Sequence, residues 1–546
     1  MNSRSFRIAL RLFLLFSLVV GSAIFLWNFL KTEKVQALTQ SPVVEEIQGA
    51  VKTLNNSLSS KWKLKGLSPT PAATNETLAR RLSLALTGAV PSLEELRKLE
   101  NAKEGTDTVN AWLDHLFADK RYADYLAERL ARVYVGVEPG PFLVYRRRRM
   151  VNWLSEEIGK NQAYDQIVQD MMGSHGIWTT NPEANFITVA TRQNMEKKGL
   201  DEVKLATRAS RAFLGISMDC MQCHDDKFGD HWKQKDFHQL AAFFSKSEIA
   251  LTGVQENEKR IYETRLRGNP EEEEVGPKVP YRPDLLPENG DLRSRLSAWI
   301  THRENEAFSR AMVNRAWALI FGRPLVEPVD DIPLEGPYPA GMEILARDFA
   351  DNNYDLQRLF RVIASSEAFR RSSSSGDAES PVTGKMEFAW AAFPVTPLRS
   401  EQVAGSIIQA SNLHTIDSES HIIKKFQRMS ETNDFVKRFG DQGEDEVREE
   451  SGTIPQRLLL MNGKLVGERI KPNPFFNASS RVADYSTSDD EAVENAFLTV
   501  LTRRPSEPEK AHFTGILNET YKKNRQNMMA DIYWALINST EFSWNR

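Results

Sequence analysis

The chain has almost no cysteine: there are two such residues in 546, Cys220 and Cys223, three positions apart. One short loop cannot brace a chain of this length. A disulfide-stapled scaffold is therefore excluded, and whatever the two thiols do is local. Basic excess is missing as well. The net charge is −4, so no broad positive field exists and no nucleic-acid partner is expected. No G-x-S-x-G elbow, P-loop, H-E-x-x-H pair or G-x-G-x-x-G turn occurs, which removes the usual sequence signals of hydrolase, nucleotide-binding and zinc-protease chemistry. Carboxylates scattered through a chain that is 26% charged nominate no catalytic pair. Long uncharged apolar runs are absent after the first 37 residues.

Within those first residues, Arg4, Arg7 and Arg11 stand with no acid among them, and Leu12 to Leu30 is apolar except for Ser17, Ser22 and Asn28. A run of that length spans a bilayer core of about 30 Å as a helix. It exceeds the apolar stretch of a cleavable signal, so an uncleaved signal-anchor is expected, although Val35-Gln36-Ala37 resembles a cleavage site. The arginines would stay inside by the positive-inside rule. The expectation is one span in the inner membrane, with the bulk of the chain on the periplasmic side.

At 41% hydrophobic the remainder has the composition of folded protein, and its length suggests more than one domain. Residues 38–75 are rich in Ser, Thr, Asn, Pro and Lys and read as a tether with at most one helix, near 43–58. Order is expected from Glu76. Leu78, Leu82 and Leu86 form one helical stripe, and Pro91-Ser92-Leu93-Glu94-Glu95 reads as the start of a second helix, its acids suited to the macrodipole. Helical periodicity continues through 108–135, 145–172 and 200–216, and again at Phe237, Leu240, Ala241 and Phe244. Residues 251–290 break it, with Glu271–Glu274 amid Pro270, Pro277, Pro280, Pro283 and Pro287. The expected fold is mainly α: one N-terminal transmembrane helix, a helical domain over 76–250, a small irregular or partly β connection over 251–290, and a helical domain over 291–546. A weak internal echo links Ile363-Ala364-Ser365-Ser366-Glu367-Ala368-Phe369 to Ile537-Asn538-Ser539-Thr540-Glu541-Phe542.

The chemistry-bearing motif is Cys220-Met221-Gln222-Cys223-His224. Cys-x-x-Cys-His is the attachment signal of c-type haem. Two thiols with two residues between them can each form a thioether to one arm of a porphyrin, and the adjacent His224 then serves as proximal iron ligand. An exported chain with both cysteines inside the motif suits covalent haem c. Two other chemistries use the same residues. A thioredoxin-type dithiol needs C-x-x-C at a helix start after a strand, whereas here the preceding segment reads as helix. A zinc or other metal site could combine Cys220, Cys223 and His224 with Asp226, His231 or His238. By residue type, a sixth iron ligand could be Met171, Met172, Met195, Met218, His175, His231 or His238. The run Arg146–Arg149 could neutralise propionates or bind an anionic partner, although such runs are usually solvated helix faces.

Several segments taken in order carry a resemblance. The first set is Arg80-Arg81-Leu82-Ser83-Leu84-Ala85-Leu86-Thr87-Gly88 with Pro91-Ser92, Tyr164-Asp165-Gln166, and Phe213-Leu214-Gly215 leading into Cys220–His224 and Asp236-Phe237. The second is Phe308–Arg315, Phe321-Gly322-Arg323, Glu327-Pro328-Val329-Asp330-Asp331, Leu398–Gln402, Leu460-Met461-Asn462 and Arg503-Arg504-Pro505. Over residues 76 to 546 the chain resembles a planctomycete-type family of envelope proteins built from a cytochrome-like domain and a partner domain, both of unknown function. The resemblance implies an exported protein that is cytochrome-like by motif, and it supplies no reaction. That family often has a second histidine two positions after the first, where this chain has Asp226. Electron transfer or redox sensing with a partner protein is the function this implies. The alternatives are an envelope scaffold or binding protein with a structural disulfide or metal at the cysteines, or an uncharacterised enzyme.

Overall fold

The computed structural model describes Leu38 and residues 44–546, apart from 104, 138–144, 193–198, 227–231, 378, most of 417–452, 474–476 and 519–523. Helix dominates, and the strands among the described residues form three two-stranded pairings.

The first helix, α1 (Val44–Leu64), corrects two expectations. It buries Ile47, Leu54, Leu58 and Trp62 along one stripe, and the Trp62 indole donates to the Ala389 carbonyl at 2.7 Å. The stretch read as part of a tether is thus a packed element of the core. The correction to fold class is larger. No helix among the described residues is long and apolar enough to cross a membrane, and the transmembrane helix expected over 12–30 lies outside them. Even α1, with 21 residues, carries Glu45, Glu46, Lys52, Lys61 and Lys63, so its apolar residues cover one face and not the full circumference.

Capping residues place the next helices. Thr74 accepts from the Thr77 amide and Gly88, in left-handed conformation, ends α2 (Asn75–Thr87). Ser92 and Glu95 form a reciprocal capping box at the start of α3 (Leu93–Glu100). Leu78, Leu82 and Leu86 are all buried, against α4 (Thr108–Phe117) and α5 (Lys120–Val135). Then come α6 (Arg147–Gly159), α7 (Tyr164–Gly173), α8 (Glu202–Ala209) and α9 (Gln234–Ala241).

The 251–290 region holds little regular structure but is not a free connection. Strands β1 (Ser247–Ala250) and β2 (Gly253–Glu256) pair as a tight hairpin, and β3 (Glu263–Thr264) pairs with β4 (Glu273–Glu274). Tyr262, Val275 and Val279 are buried in the same core as the neighbouring helices. The chain then enters α10 (Leu292–Ile300) and α11 (Glu306–Phe321). In α11 every residue except Glu306 and Leu319 is buried. A helix covered on all sides is a core helix, and its neighbours include α2, α12 (Met342–Asp351) and α13 (Leu356–Ser365).

The hydrophobic cores therefore do not part near 251–290. One continuous cluster runs from Leu38 to Phe393 and takes in Leu498, and a second is built from Leu398 to Phe542. The second contains α14 (Ser400–Ala410), α15 (Ala478–Tyr485), α16 (Asp489–Leu501) and α17 (Arg525–Ile537), with Leu84 and Val90 contributed by the first half. Where the two cores adjoin, β5 (Thr396–Pro397) pairs with β6 (Trp544–Asn545). The echo noted in sequence is a shared turn. Ser366 accepts from the Phe369 amide and Ser539 from the Phe542 amide, each at 3.3 Å, and both phenylalanines are fully buried.

Candidate functional site

After α8 the helix widens into one π-helical turn, Ser210–Leu214, which Gly215 terminates with φ +62°. Wide turns of this kind often mark functional segments. Phe213, Leu214, Ile216 and Met218 are buried, and the chain then rises into a 3-10 turn, Asp219–Gln222. Within that turn Met221 points inward as the anchor, while Cys220 and Cys223 are exposed and unpaired thiols. The amides of Cys223 and His224 both donate to the Cys220 carbonyl, at 3.2 and 3.4 Å. That closed turn sets the two thiols and the imidazole on consecutive corners.

His224 is half-buried, and its Nδ1 lies 2.7 Å from the Asp225 carbonyl. A carbonyl only accepts, so Nδ1 carries the proton and the Nε2 lone pair is free for a metal. This arrangement is typical of metal-bound histidines. The Asp225 carboxylate accepts from the Gln234 amide at 2.8 Å, tying the motif to the start of α9. His238 on α9 uses both ring nitrogens, on the Tyr262 hydroxyl (2.8 Å) and the Gln222 carbonyl (3.1 Å). Burial lowers its pKa, with the Gln222 bond opposing. His238 is thus a brace under the turn.

The base of the turn is held from the second half of the chain, which the sequence did not foretell. Arg315 of α11 donates to the carbonyls of Arg211 (2.8 Å) and Ala212 (2.5 Å) inside the π turn. Arg211 bridges Asp219 (3.0 Å) and Asp330 (2.7 Å). The Asp331 carboxylate accepts from the Ser217 amide, and the Ile332 amide donates to the Gly215 carbonyl at 2.7 Å. Asn314 holds that segment in place through the Val326 and Val329 carbonyls. Two of the second-half segments listed above, Phe308–Arg315 and Glu327–Asp331, therefore converge beneath Cys220–His224. The available sign was their co-occurrence with the cysteine motif, but sequence alone could not say that they touch it.

The electrostatics there are acidic. Burial raises the Asp219 carboxyl above its ordinary range, Asp330 and Asp331 add to the rise, and Arg211 opposes it. Asp219 Oδ1 is buried without a hydrogen-bond partner. Asp331 is raised in the same way, by burial first and then by Asp330 and Asp226.

Other sequence-flagged residues lie elsewhere. Met171, Met172 and Met218 are buried in the first core. Met195 and His231 fall outside the described residues. His175 approaches Glu256 and Asp291, the one His/Cys/Asp/Glu grouping among the described residues compact enough for a metal. There, however, Arg293 already donates to His175 Nε2 and to Glu256, at 3.0 and 3.1 Å. Cys220, Cys223, His224 and Asp226 form no such compact group. In the arginine run, Arg147 pairs with Glu128 and Arg146 stacks on Trp178, contacts that do not involve the cysteine turn.

Gly215 gives a direct test of the base. A Cβ there would sit 3.0 Å from Ile332 Cδ1 and 3.3 Å from Ala311 Cβ, on a backbone conformation that side chains resist. Gly215→Val is expected to destabilise the fold by about 1–3 kcal/mol, read as a lower urea midpoint. An unchanged midpoint would show that the two halves do not press together here.

Comparison with known families places both halves. Residues 53–249 match PSCyt2, described as a protein of unknown function (DUF1549). Residues 292–517 match PSD1, also described as a protein of unknown function (DUF1553). The chain belongs to this paired-domain family. No curated protein and no solved structure matches it. The PSD1 match begins at α10, inside the first hydrophobic core, so the family boundary and the packing boundary differ by roughly a hundred residues.

For a porphyrin held by two thioethers and one imidazole, the donor set present fits. Both thiols are exposed and unpaired, they share one turn, and the neighbouring imidazole keeps Nε2 free.

Proposed function

We propose that this PSCyt2–PSD1 protein is an exported monohaem c-type protein that transfers or senses electrons outside the cytoplasm. One observation carries the reading: two exposed thiols and an imidazole with Nδ1 anchored on Asp225 stand on a single closed turn. Bound haem would supply one-electron chemistry at its iron. Cys220 and Cys223 would hold it by thioethers, and His224 Nε2 would be the proximal ligand. The Asp225 carbonyl fixes the ring's tautomer and plane. Asp219, Asp330 and Asp331, offset in part by Arg211, gather negative charge beneath the turn, which disfavours reduction of a group held there. The cytochrome-like name of the PSCyt2 family agrees with a redox role. Haem attachment to such motifs takes place outside the cytoplasm, and the arginine-flanked apolar start of the chain suits export.

The test is to produce the full chain in a cell that matures c-type cytochromes. Its mass should rise by one haem, and the haem should stay with the polypeptide through denaturation and acid extraction. Stoichiometric zinc or iron without porphyrin absorbance would replace this reading with a metal site. A colourless, unmodified, metal-free product that releases two thiols on reduction would replace it with a dithiol.

A further inference from the structure

A second feature lies where the two hydrophobic cores adjoin. A cavity of about 550 Å³ opens there, between the start of α2, Ser372–Ser374 and the end of the chain. Its volume is in the range of small-molecule sites, roughly 300–1,000 Å³. Most of its wall is apolar, supplied by Ala73, Val395 and Trp544 among others, and Val395 is 42% exposed.

The charged part of the wall sets two arginines against one carboxylate, Glu541. Arg81, fully buried, lines the cavity together with Arg546. Arg81 Nη1 donates to the carbonyls of Phe369 and Arg371, each at 2.8 Å, and Nε to the Arg546 main-chain oxygen at 2.7 Å. Its guanidinium stacks on the Phe393 ring, 3.5 Å from the centroid, and its Nη2 reaches Ser373 Oγ at 3.4 Å, long for a hydrogen bond. The adjacent Arg80, behind the wall, is also buried; its Nη2 donates to the Phe542 carbonyl at 3.1 Å, while its Nε and Nη1 have no partner among the described residues. Glu541, which also lines the cavity, accepts from Arg503 (2.6 and 2.7 Å) and from Arg546. Burial and then the charge of Arg546 depress both guanidiniums, Arg80 to about 10 and Arg81 well below its ordinary value. A buried guanidinium held by main-chain oxygens and a hydroxyl is costly, and its edge is suited to a carboxylate or phosphate.

We propose that this cavity binds an amphiphilic anion, an unbranched apolar chain with a carboxylate or phosphate-monoester head. The head would lie at Arg81 and Arg546 and the chain along Ala73, Val395 and Trp544. This site is separate from the cysteine turn and does not depend on haem.

The full chain, stripped of lipid, would be titrated calorimetrically with hexadecanoate, hexadecyl phosphate and hexadecanol. Both anions should bind one per chain, and the alcohol at least about tenfold more weakly, the factor expected from one charge-assisted hydrogen bond. The tighter of the two anions identifies the source of the head group. Ala73→Phe, which fills the cavity from its rim, should weaken both anions at least tenfold while the thermal melt stays in place. Arg81→Gln should erase the difference between anion and alcohol. If that variant fails to fold, the wild-type comparison and Ala73→Phe still decide. The proposal is overturned by no binding, by equal binding of the alcohol, or by unchanged binding in folded Ala73→Phe.

Discussion

Replacing Cys220 and Cys223 together with alanine is expected to abolish covalent haem completely, returning the matured protein to the mass of its bare polypeptide. Both side chains are exposed and unpaired, so little packing is lost, and with both chains free of haem stability should stay within about 0.5 kcal/mol of wild type. Each single replacement leaves one thiol and should leave one thioether, with haem retained less completely. His224→Ala should differ in kind. The thioethers do not require the imidazole once formed, so the mass increase should persist while the absorption spectrum reports changed axial ligation. Asp225 holds the ring through its main-chain oxygen, so Asp225→Ala should leave ligation alone. A double-cysteine variant that still carries covalent haem would end the c-type reading.

The largest effect on stability is expected at Glu95, which is 1% exposed. Its Oε2 accepts from the Ser92 amide at 2.8 Å and completes the capping box of α3. Its Oε1 pairs with Arg121 and, at 3.1 Å, with His115. Burial alone would raise this carboxyl, but Arg121 and then His115 overcome it and hold the group well below the usual range. Glu95→Ala would leave the Arg121 guanidinium, 7% exposed, without this carboxylate and with Asp119 as its remaining counter-ion among the described residues. Breaking a buried pair from one side costs about 3–5 kcal/mol, a large share of a typical stability of roughly 5–15 kcal/mol. The pH dependence follows from the sign of the shift. A depressed carboxylate contributes stability that is fully present above its unfolded value and is lost as pH falls through the folded one. Wild type should therefore lose stability steadily below about pH 4.3, and Glu95→Ala should show a flatter acid limb in urea melts run across pH. Equal acid limbs would refute the assignment. Asp219 and Asp331 run the other way: their raised values mean that their contribution falls as pH rises through them.

Both predictions concern residues of the first matched domain, and the site of the first of them also rests on the second. The cysteine turn is built on a base, and Arg315, Asp330, Asp331 and Ile332 of the second half supply much of it. This gives a physical reason for the two matched domains to occur in one chain. Without the second half the π turn would lose the Arg315 guanidinium on its carbonyls, and Arg211 would lose Asp330. The separate cavity at the seam of the two cores adds a second place where the halves depend on each other.

Local physics made parts of this protein legible from sequence. Ser92 with Glu95 three residues later reads as a helix start because the box needs only those spacings, and the structure forms it. Leu78, Leu82 and Leu86 read as a buried stripe because the helical period brings them to one face. The echoed Ser-x-x-Phe turns close within four residues. The ordered motifs were enough to identify the paired-domain family.

What depends on distant partners was not legible. Proline and glutamate suggested an irregular or partly β connection at 251–290, yet Tyr262, Val275 and Val279 are buried in the first core, and the cores part after Phe393 instead. The tether reading of 38–75 failed for the same reason, since α1 is stabilised by α12 and α13, about three hundred residues later. The long apolar run suggested a spanning helix, whereas no helix of that character exists among the described residues. Sequence by itself determined the helical grammar, the family and the identity of the thiol–thiol–imidazole set. Only tertiary structure decided what surrounds that set and which arginines are buried, because burial and counter-charge depend on contacts between segments that spacing does not encode.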